Sequence, residues 1–314
     1  MGRSGRFTFF RFGSILFLLF CLVCIPLSAS AEVTVQYPSS VGVGKPFLVR
    51  VTSSVPLTGV EAVWQGRTVQ LGVSVWNERY ISLALLGTQV GKVKTGDHRL
   101  TLRLLSGGKR SEHPFSIKVT PVQYKEDRLT LPEKMVTPPS SELKRIEAER
   151  KRTGAALATM TAGRQWGLPI IRPVSGIVTS PYGRRHILNG KPRSPHAGVD
   201  FRAAVGTPVL AALPGKVVLT GDHYYAGKSI YIDSGGGVIY HYFHMHTIDV
   251  KKGDPVKPGQ VIGKSGVTGR ATGPHLHFGL ALAGQMVNPE PLFSATSSGM
   301  LEKTALRKVT PRWK

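Results

Sequence analysis

The sequence predicts an all-β protein: an N-terminal immunoglobulin-like β-sandwich, a linker carrying a short basic helix, and a C-terminal antiparallel β domain. Three observations predict it. Apolar and polar residues alternate with period two in seven short runs near the N-terminus, the pattern of strands with one buried face. Short runs dense in glycine and valine return after Trp166 with almost no helical periodicity. Between them lies one charged stretch with helix-end signals.

The first residues carry Arg3, Arg6 and Arg11 without an acid, then an apolar run from Ile15 to Pro26 and the small residues Ser28-Ala29-Ser30-Ala31. That is the layout of a signal peptide. The apolar run is shorter than the roughly 20 residues of a membrane span, so residues 1–31 are expected to be cleaved, leaving no stable membrane anchor. Over residues 32–121 the expected strands are Val33–Tyr37, Phe47–Thr52, Val60–Trp64, Arg67–Leu71, Tyr80–Leu86, Arg99–Leu104 and Phe115–Thr120. So many short strands in about 90 residues suggest the sandwich. It holds no cluster of ionisable residues and reads as a spacer, binding or regulatory module.

Residues 122–165 read as a linker. Pro132, Pro138 and Pro139 interrupt structure, Ser140-Ser141-Glu142 opens a helix, and Arg150-Lys151-Arg152 closes it before Gly154, in keeping with the helix dipole and a glycine stop. Residues 166–293 give strands at Pro208–Ala211, Lys216–Thr220, Ser229–Asp233, Gly237–His246, Gln260–Gly263 and His275–Leu282. The tail, 294–314, is polar and basic and is expected to be disordered.

The 314 residues allow two domains plus connections, and 41% hydrophobic content excludes a disordered chain. Both cysteines, Cys21 and Cys24, fall inside the leader. The mature chain therefore has no disulfide, thiolate ligand or cysteine nucleophile. Neither cysteine is preceded by the small residue of a lipoprotein site. Removing three arginines with the leader leaves 38 basic against 18 acidic residues, a formal charge of +20. Such a chain is drawn to polyanions. Export to the periplasm or cell envelope makes wall or envelope polymers the expected partners, and nucleic acid is excluded.

Of ten histidines, eight fall between His186 and His277. Two clusters stand out: His196-Ala197-Gly198-Val199-Asp200-Phe201 and Gly273-Pro274-His275-Leu276-His277-Phe278. Histidines one residue apart on a strand share a face. An imidazole and a carboxylate four apart, with Gly198 between them to let the backbone turn, can converge. Catalytic zinc takes three nitrogen or oxygen ligands and keeps an open position, which two histidines and one carboxylate satisfy. Each motif alone is weak; together in one β-rich domain they point to a metal.

The stretch from Gly167 to Phe293 resembles the M23 family of peptidoglycan metallopeptidases, with the lysostaphin-type or LytM-like domain. The matching pieces are Ser180-Pro181-Tyr182-Gly183-Arg184-Arg185, His196-Ala197-Gly198-Val199-Asp200, Tyr242-Phe243-His244-Met245, Gly259-Gln260-Val261-Ile262-Gly263 and Thr272-Gly273-Pro274-His275-Leu276-His277-Phe278. The resemblance implies a compact antiparallel β fold with a groove across its sheet and one zinc per chain at the groove floor. It further implies that His196, Asp200 and His277 are the zinc ligands. His275 and His244 become the catalytic pair facing the attacking water and the scissile carbonyl, one taking the proton and the other steadying the oxyanion; the sequence does not say which does which, and His275 is our choice of base. The implied function is a zinc metalloendopeptidase, a hydrolase that cuts peptide cross-links of peptidoglycan during cell wall remodelling.

The remaining histidines read as structural. His241 has opposite parity to His244 and should face away, His246 lies towards the strand end, and His186 and His223 sit on loops. His98 and His113 belong to the sandwich. Tyr224 and Tyr225 flank the groove or simply pack. Arg184, Arg185, Lys191 and Arg193 precede the first ligand and suit the carboxylates of acidic peptide stems, or form a solvated loop. A competing class is a catalytically inactive LytM-like activator or binding partner of another wall hydrolase. The complete set of five site residues argues against it. The run from Val250 to Gly263 resembles strands of lipoyl carriers, but no lysine sits on a hairpin tip. A purely adhesive β-sandwich protein would leave the histidines unexplained.

Overall fold

Backbone amides at a sheet edge need partners, and the chain meets that need by returning its end to its beginning. The computed structural model describes residues 2, 32–130, 137–302 and 304–314. The leader expected over residues 1–31, with both cysteines, lies outside the described residues except for Gly2. Among the described residues no helix is long and apolar enough to cross a membrane.

The protein is all-β, and its first half is two facing five-stranded sheets. One sheet runs in the order Ala305–Val309, Val33–Tyr37, Pro46–Ser53, Arg79–Gly87, Val73–Trp76. The other runs Ser40–Gly42, Lys109–Thr120, Gly96–Ser106, Gly59–Trp64, Arg67–Leu71. Alternate residues of both sheets, among them Val49, Val51, Val60, Leu100, Leu102, Leu104 and Phe115, meet in one buried core. Trp64 is fully buried there, and its indole N–H is satisfied by the Gly87 carbonyl at 2.7 Å.

The outermost strand of the first sheet corrects the expected disorder of the tail. Ser297–Glu302 is a short helix, and Ala305–Val309 pairs antiparallel with Val33–Tyr37. The strand carries four exposed residues out of five, so its own pattern announces no buried face. What holds it is the open edge of Val33–Tyr37, helped by Lys308 paired with Glu32 at 2.8 Å.

The second half is one large antiparallel sheet. Its main path is Val178–Ser180, Val199–Arg202, His275–Leu282, Val238–Ile248, Gly227–Asp233, Gly215–His223, Pro255–Val256. The sandwich is fastened to it by specific bonds. The Tyr182 hydroxyl donates to the Met286 carbonyl at 2.7 Å and accepts from Val90 N–H at 3.1 Å. Asn288 N–H donates to Gly44 O at 2.8 Å.

The linker segment is more engaged than its composition suggests. Glu126–Leu129 forms a strand parallel to Arg185–Leu188. The helix spans Leu143–Leu157, after a 3-10 turn at Ser140–Glu142, and runs through Gly154. A Cβ at Gly154 would meet nothing within 4 Å, so the glycine is tolerated in the helix and stops nothing. This helix docks on the sheet. The buried Glu149 carboxylate accepts from Tyr224 N–H at 2.7 Å and from Arg145 at 2.8 Å. Arg145 also donates to the Asp222 carbonyl at 3.2 Å. Burial works to raise the Glu149 carboxyl, but the Tyr224 amide and the Arg145 charge outweigh it and keep it below its ordinary value.

Candidate active site

Antiparallel pairing brings the two histidine motifs together. Val199–Arg202 runs beside His275–Leu282 in a register that sets Asp200 opposite His277, and Phe243 lies opposite His277 on its other side. Residues directly opposite on neighbouring strands share a face. Asp200, His277 and Phe243 therefore form one row, and Phe243 stacks on the His277 ring at 4.9 Å, within 10° of parallel. Gly198 serves close approach, not the expected sharp turn. A Cβ there would fall 2.4 Å from the Phe278 carbonyl oxygen and 2.6 Å from His277 Nε2.

His196 arrives on the segment before that strand, held by its N–H to Arg184 O at 2.9 Å and by Gly183 N–H to its own carbonyl at 2.8 Å. Its Nδ1 lies 3.1 Å from the Pro181 carbonyl, so Nδ1 carries the proton and Nε2 presents a lone pair. Three atoms now converge: His196 Nε2 to His277 Nδ1 is 3.0 Å, His277 Nδ1 to Asp200 Oδ1 is 2.9 Å, and His196 Nε2 to Asp200 Oδ1 is 3.1 Å. Ligands 2.0–2.1 Å from a tetrahedral centre stand about 3.3 Å apart. The triangle is close to that size and is made of two imidazoles and a carboxylate, a donor set that suits zinc. Among the described residues this is the one group of three or more such side chains so gathered. Burial works to raise the Asp200 carboxyl, yet the adjoining His196 and His277 imidazoles outweigh it and hold it far below the usual carboxylate range.

His275 and His244 complete the cluster. The shared face expected of His275 and His277 is present: His275 Nε2 lies 3.9 Å from Asp200 Oδ1, and its ring centroid is 4.6 Å from that of His244. Each ring gives its Nδ1 proton to a backbone carbonyl, His275 to Gly273 at 2.9 Å and His244 to Thr268 at 2.8 Å. In each ring Nδ1 is thereby fixed as a donor, which leaves Nε2 as the atom able to exchange a proton.

A bulge determines where His244 points. Ile230 pairs with Tyr242 but Lys228 pairs with Met245, so Phe243 and His244 together oppose one residue. His244 takes φ of +60°, a left-handed conformation that is uncommon for a residue with a Cβ and concentrates at functional sites. Simple parity fails across such a bulge. His241, expected to face away, lies on the same face as His277, its ring 5.8 Å from His277 and 4.4 Å from Phe243. A Cβ at Gly279 would sit 2.1 Å from His241 Nε2, so that glycine makes the space. His241 and Phe243 form a packed floor under the His277 ring, a supporting role that a parity count misses.

The other histidines divide as follows. His223 is buried at the end of Gly215–His223, not on a loop, with Nδ1 2.7 Å from Ser229 Oγ. His246 is exposed, and His186 lies on Arg185–Leu188. Arg184 of the basic loop is ion-paired with Asp127 of the linker strand, so its charge is already engaged. Tyr225 faces Arg270 of the 267–274 loop, whose guanidinium lies 4.4 Å above its ring.

Burial keeps several of these rings neutral, and that makes the fold acid-sensitive. Desolvation pushes His244 down to about 4 and lowers His277, His241 and His223 as well. Between the ordinary histidine value of about 6.5 and these depressed values the unfolded chain binds more protons than the folded one. Stability is therefore full above about pH 6.5 and is lost as pH falls towards 4. His244 alone accounts for about 3 kcal/mol across that window. The unfolding Tm is expected to drop by several degrees from pH 7 to pH 5; a flat or rising Tm would contradict the buried-neutral assignment.

Comparison with known proteins places this geometry. The sequence profile of peptidase family M23 matches residues 194–289, which include both histidine clusters. Over 95 residues, 30% of this chain and 22% of the relative, the sequence is 48% identical to the peptidoglycan DD-endopeptidase ShyA of Vibrio cholerae. It is 39% identical over 113 residues, 36% of this chain and 26% of the relative, to the DD-carboxypeptidase/endopeptidase Mpg of Neisseria meningitidis. The matched segment thus spans only about a quarter of the length of these curated relatives. A crystal structure of a peptidase M23 from Pseudomonas aeruginosa reaches further. It superposes with a TM-score of 0.60 at 32% identity, over 79% of this chain and 93% of that one. Likeness of that extent, sandwich and sheet together, settles the family: the chain belongs to peptidase family M23.

Proposed function

We propose that the protein is a zinc metalloendopeptidase that hydrolyses peptide cross-links in bacterial peptidoglycan. The observation that carries this reading is the 2.9–3.1 Å triangle of His196 Nε2, Asp200 Oδ1 and His277 Nδ1 beside the His244–His275 pair. His196, Asp200 and His277 would hold one zinc. Bound there, zinc would supply Lewis acidity, polarising the scissile carbonyl and making water a nucleophile at neutral pH.

The chain's own groups handle the proton and the developing charge. His244, buried and neutral, offers Nε2 as acceptor for the proton of the attacking water, with Thr268 O fixing the ring through Nδ1. His275 is the more open ring of the two and lies nearer the Asp200 carboxylate. It is the better placed to carry a proton and stabilise the oxyanion. The sequence leaves this order open, and our choice of His275 as base from it is here exchanged for His244. No glutamate base of the His-Glu-x-x-His type is needed.

Relatives named as peptidoglycan endopeptidases support the substrate class. The basic chain and the signal-like leader support action in the periplasm or cell envelope, where anionic polymers would concentrate the enzyme. The complete set of five site residues disfavours an inactive activator. Purified protein incubated with isolated wall sacculi should release peptide-bearing fragments identifiable by mass spectrometry. Chelator should stop release and added zinc restore it; intact sacculi with zinc-loaded protein would sink the reading.

A further inference from the structure

Arg270 lies two residues beyond Thr268, whose carbonyl orients His244. Its loop is pinned on both sides. Thr268 Oγ1 donates to the Met245 carbonyl at 2.8 Å and accepts from Lys228 N–H at 3.0 Å, and Arg270 N–H donates to the Tyr225 carbonyl at 3.0 Å. Gly269 holds φ of +72°, and a Cβ there would lie 2.3 Å from Gly227 N, so the loop sits tight against the 224–227 turn. That turn is in turn anchored by Glu149 of the linker helix through the Tyr224 amide.

The guanidinium carbon lies over the Tyr225 ring, 4.4 Å from its centroid, and Tyr224 stands edge-on to Tyr225 at 4.9 Å. Stacking fixes the plane of an arginine but leaves its edge N–H groups to donate in that plane. Among the described residues no carboxylate pairs with this guanidinium, in contrast to Arg184 with Asp127. Arg270 is exposed, so an incoming group can reach it; its packing lowers its pKa, Tyr225 opposes that shift and the nearby Arg193 charge adds to it.

We infer that Arg270, seated on Tyr225, is a specificity-determining residue that binds a carboxylate of the substrate peptide beside the scissile bond. The planar fork matches a carboxylate through two parallel bonds, which a carboxamide cannot reproduce in charge. The inference rests on the peptidoglycan peptidase reading and narrows it to stems bearing free carboxylates.

The test uses two synthetic cross-linked stem-peptide dimers, one with free carboxylates and one with the same groups amidated. The zinc-loaded wild type should favour the free form by about 10- to 100-fold in kcat/KM, mostly through KM. In Arg270→Gln that ratio should collapse towards one, and Arg270→Lys should recover part of it. A wild type that treats both dimers alike would overturn the inference. So would an Arg270→Gln variant that slows both equally, since that is the signature of a support for the His244 loop. Calorimetric binding of both dimers to chelator-treated protein reads the same preference without turnover. If neither dimer is cut but the free form still binds better through Arg270, the peptidase reading fails and the carboxylate site stands.

Discussion

Replacing His277 with alanine is expected to strip the protein of zinc and abolish its peptidase activity together. His277 Nδ1 is one corner of the donor triangle, 2.9 Å from Asp200 and 3.0 Å from His196. Its ring is also clamped by Phe243. Removing it deletes a ligand and takes from the partly buried Asp200 carboxylate one of the two imidazoles that keep it ionised. The loss in metal affinity should exceed the roughly 10- to 100-fold typical for loss of an outer hydrogen-bond partner. Metal content after gel filtration, measured by mass spectrometry alongside turnover of wall sacculi, reads both effects. A His277→Ala protein that keeps a full zinc complement would show that the triangle is not the metal site.

The second expectation separates proton transfer from metal holding. His275→Ala and His244→Ala should each retain zinc while turnover falls about 10²- to 10⁴-fold, the usual worth of a positioned acid or base. Equal metal loss in His275→Ala and His277→Ala would mean that their roles are reversed. His244 allows a sharper comparison because its backbone has φ of +60°. Glycine takes that conformation without the penalty of a Cβ, which is on the order of 1 kcal/mol. His244→Gly should therefore be as inactive as His244→Ala but unfold at a higher Tm. A Tm below that of the alanine variant would show that the left-handed residue is not strained.

Much of this site was legible because its signals are local. His275 and His277 share a face by strand periodicity, and His196 and Asp200 announce themselves by type and spacing. Features set by a neighbouring strand were not legible. The bulge that re-aims His244 depends on what Gly227–Asp233 offers across the sheet, so a parity count misplaced His241. Gly198 is required by the approach of Phe278 and His277, contacts 79 and 80 positions away that no local window contains. Arg184 was read as a free cation because its partner, Asp127, lies 57 residues upstream in a segment with no strand-like alternation. The linker helix passed through Gly154 because docking on the sheet outweighs the modest propensity cost of one glycine, about 1 kcal/mol.

The pairing of Ala305–Val309 with Val33–Tyr37 has a consequence for biosynthesis. The earliest strand to emerge from the ribosome waits for residue 309 before its outer row of amides is covered. Until then the nascent polypeptide carries a raw rim capable of recruiting a stray strand from another molecule. A translation product halted before residue 305 never loses that rim. The architecture thus ties two distant segments together, since only a polypeptide synthesised through residue 309 can cover the outer row of Val33–Tyr37.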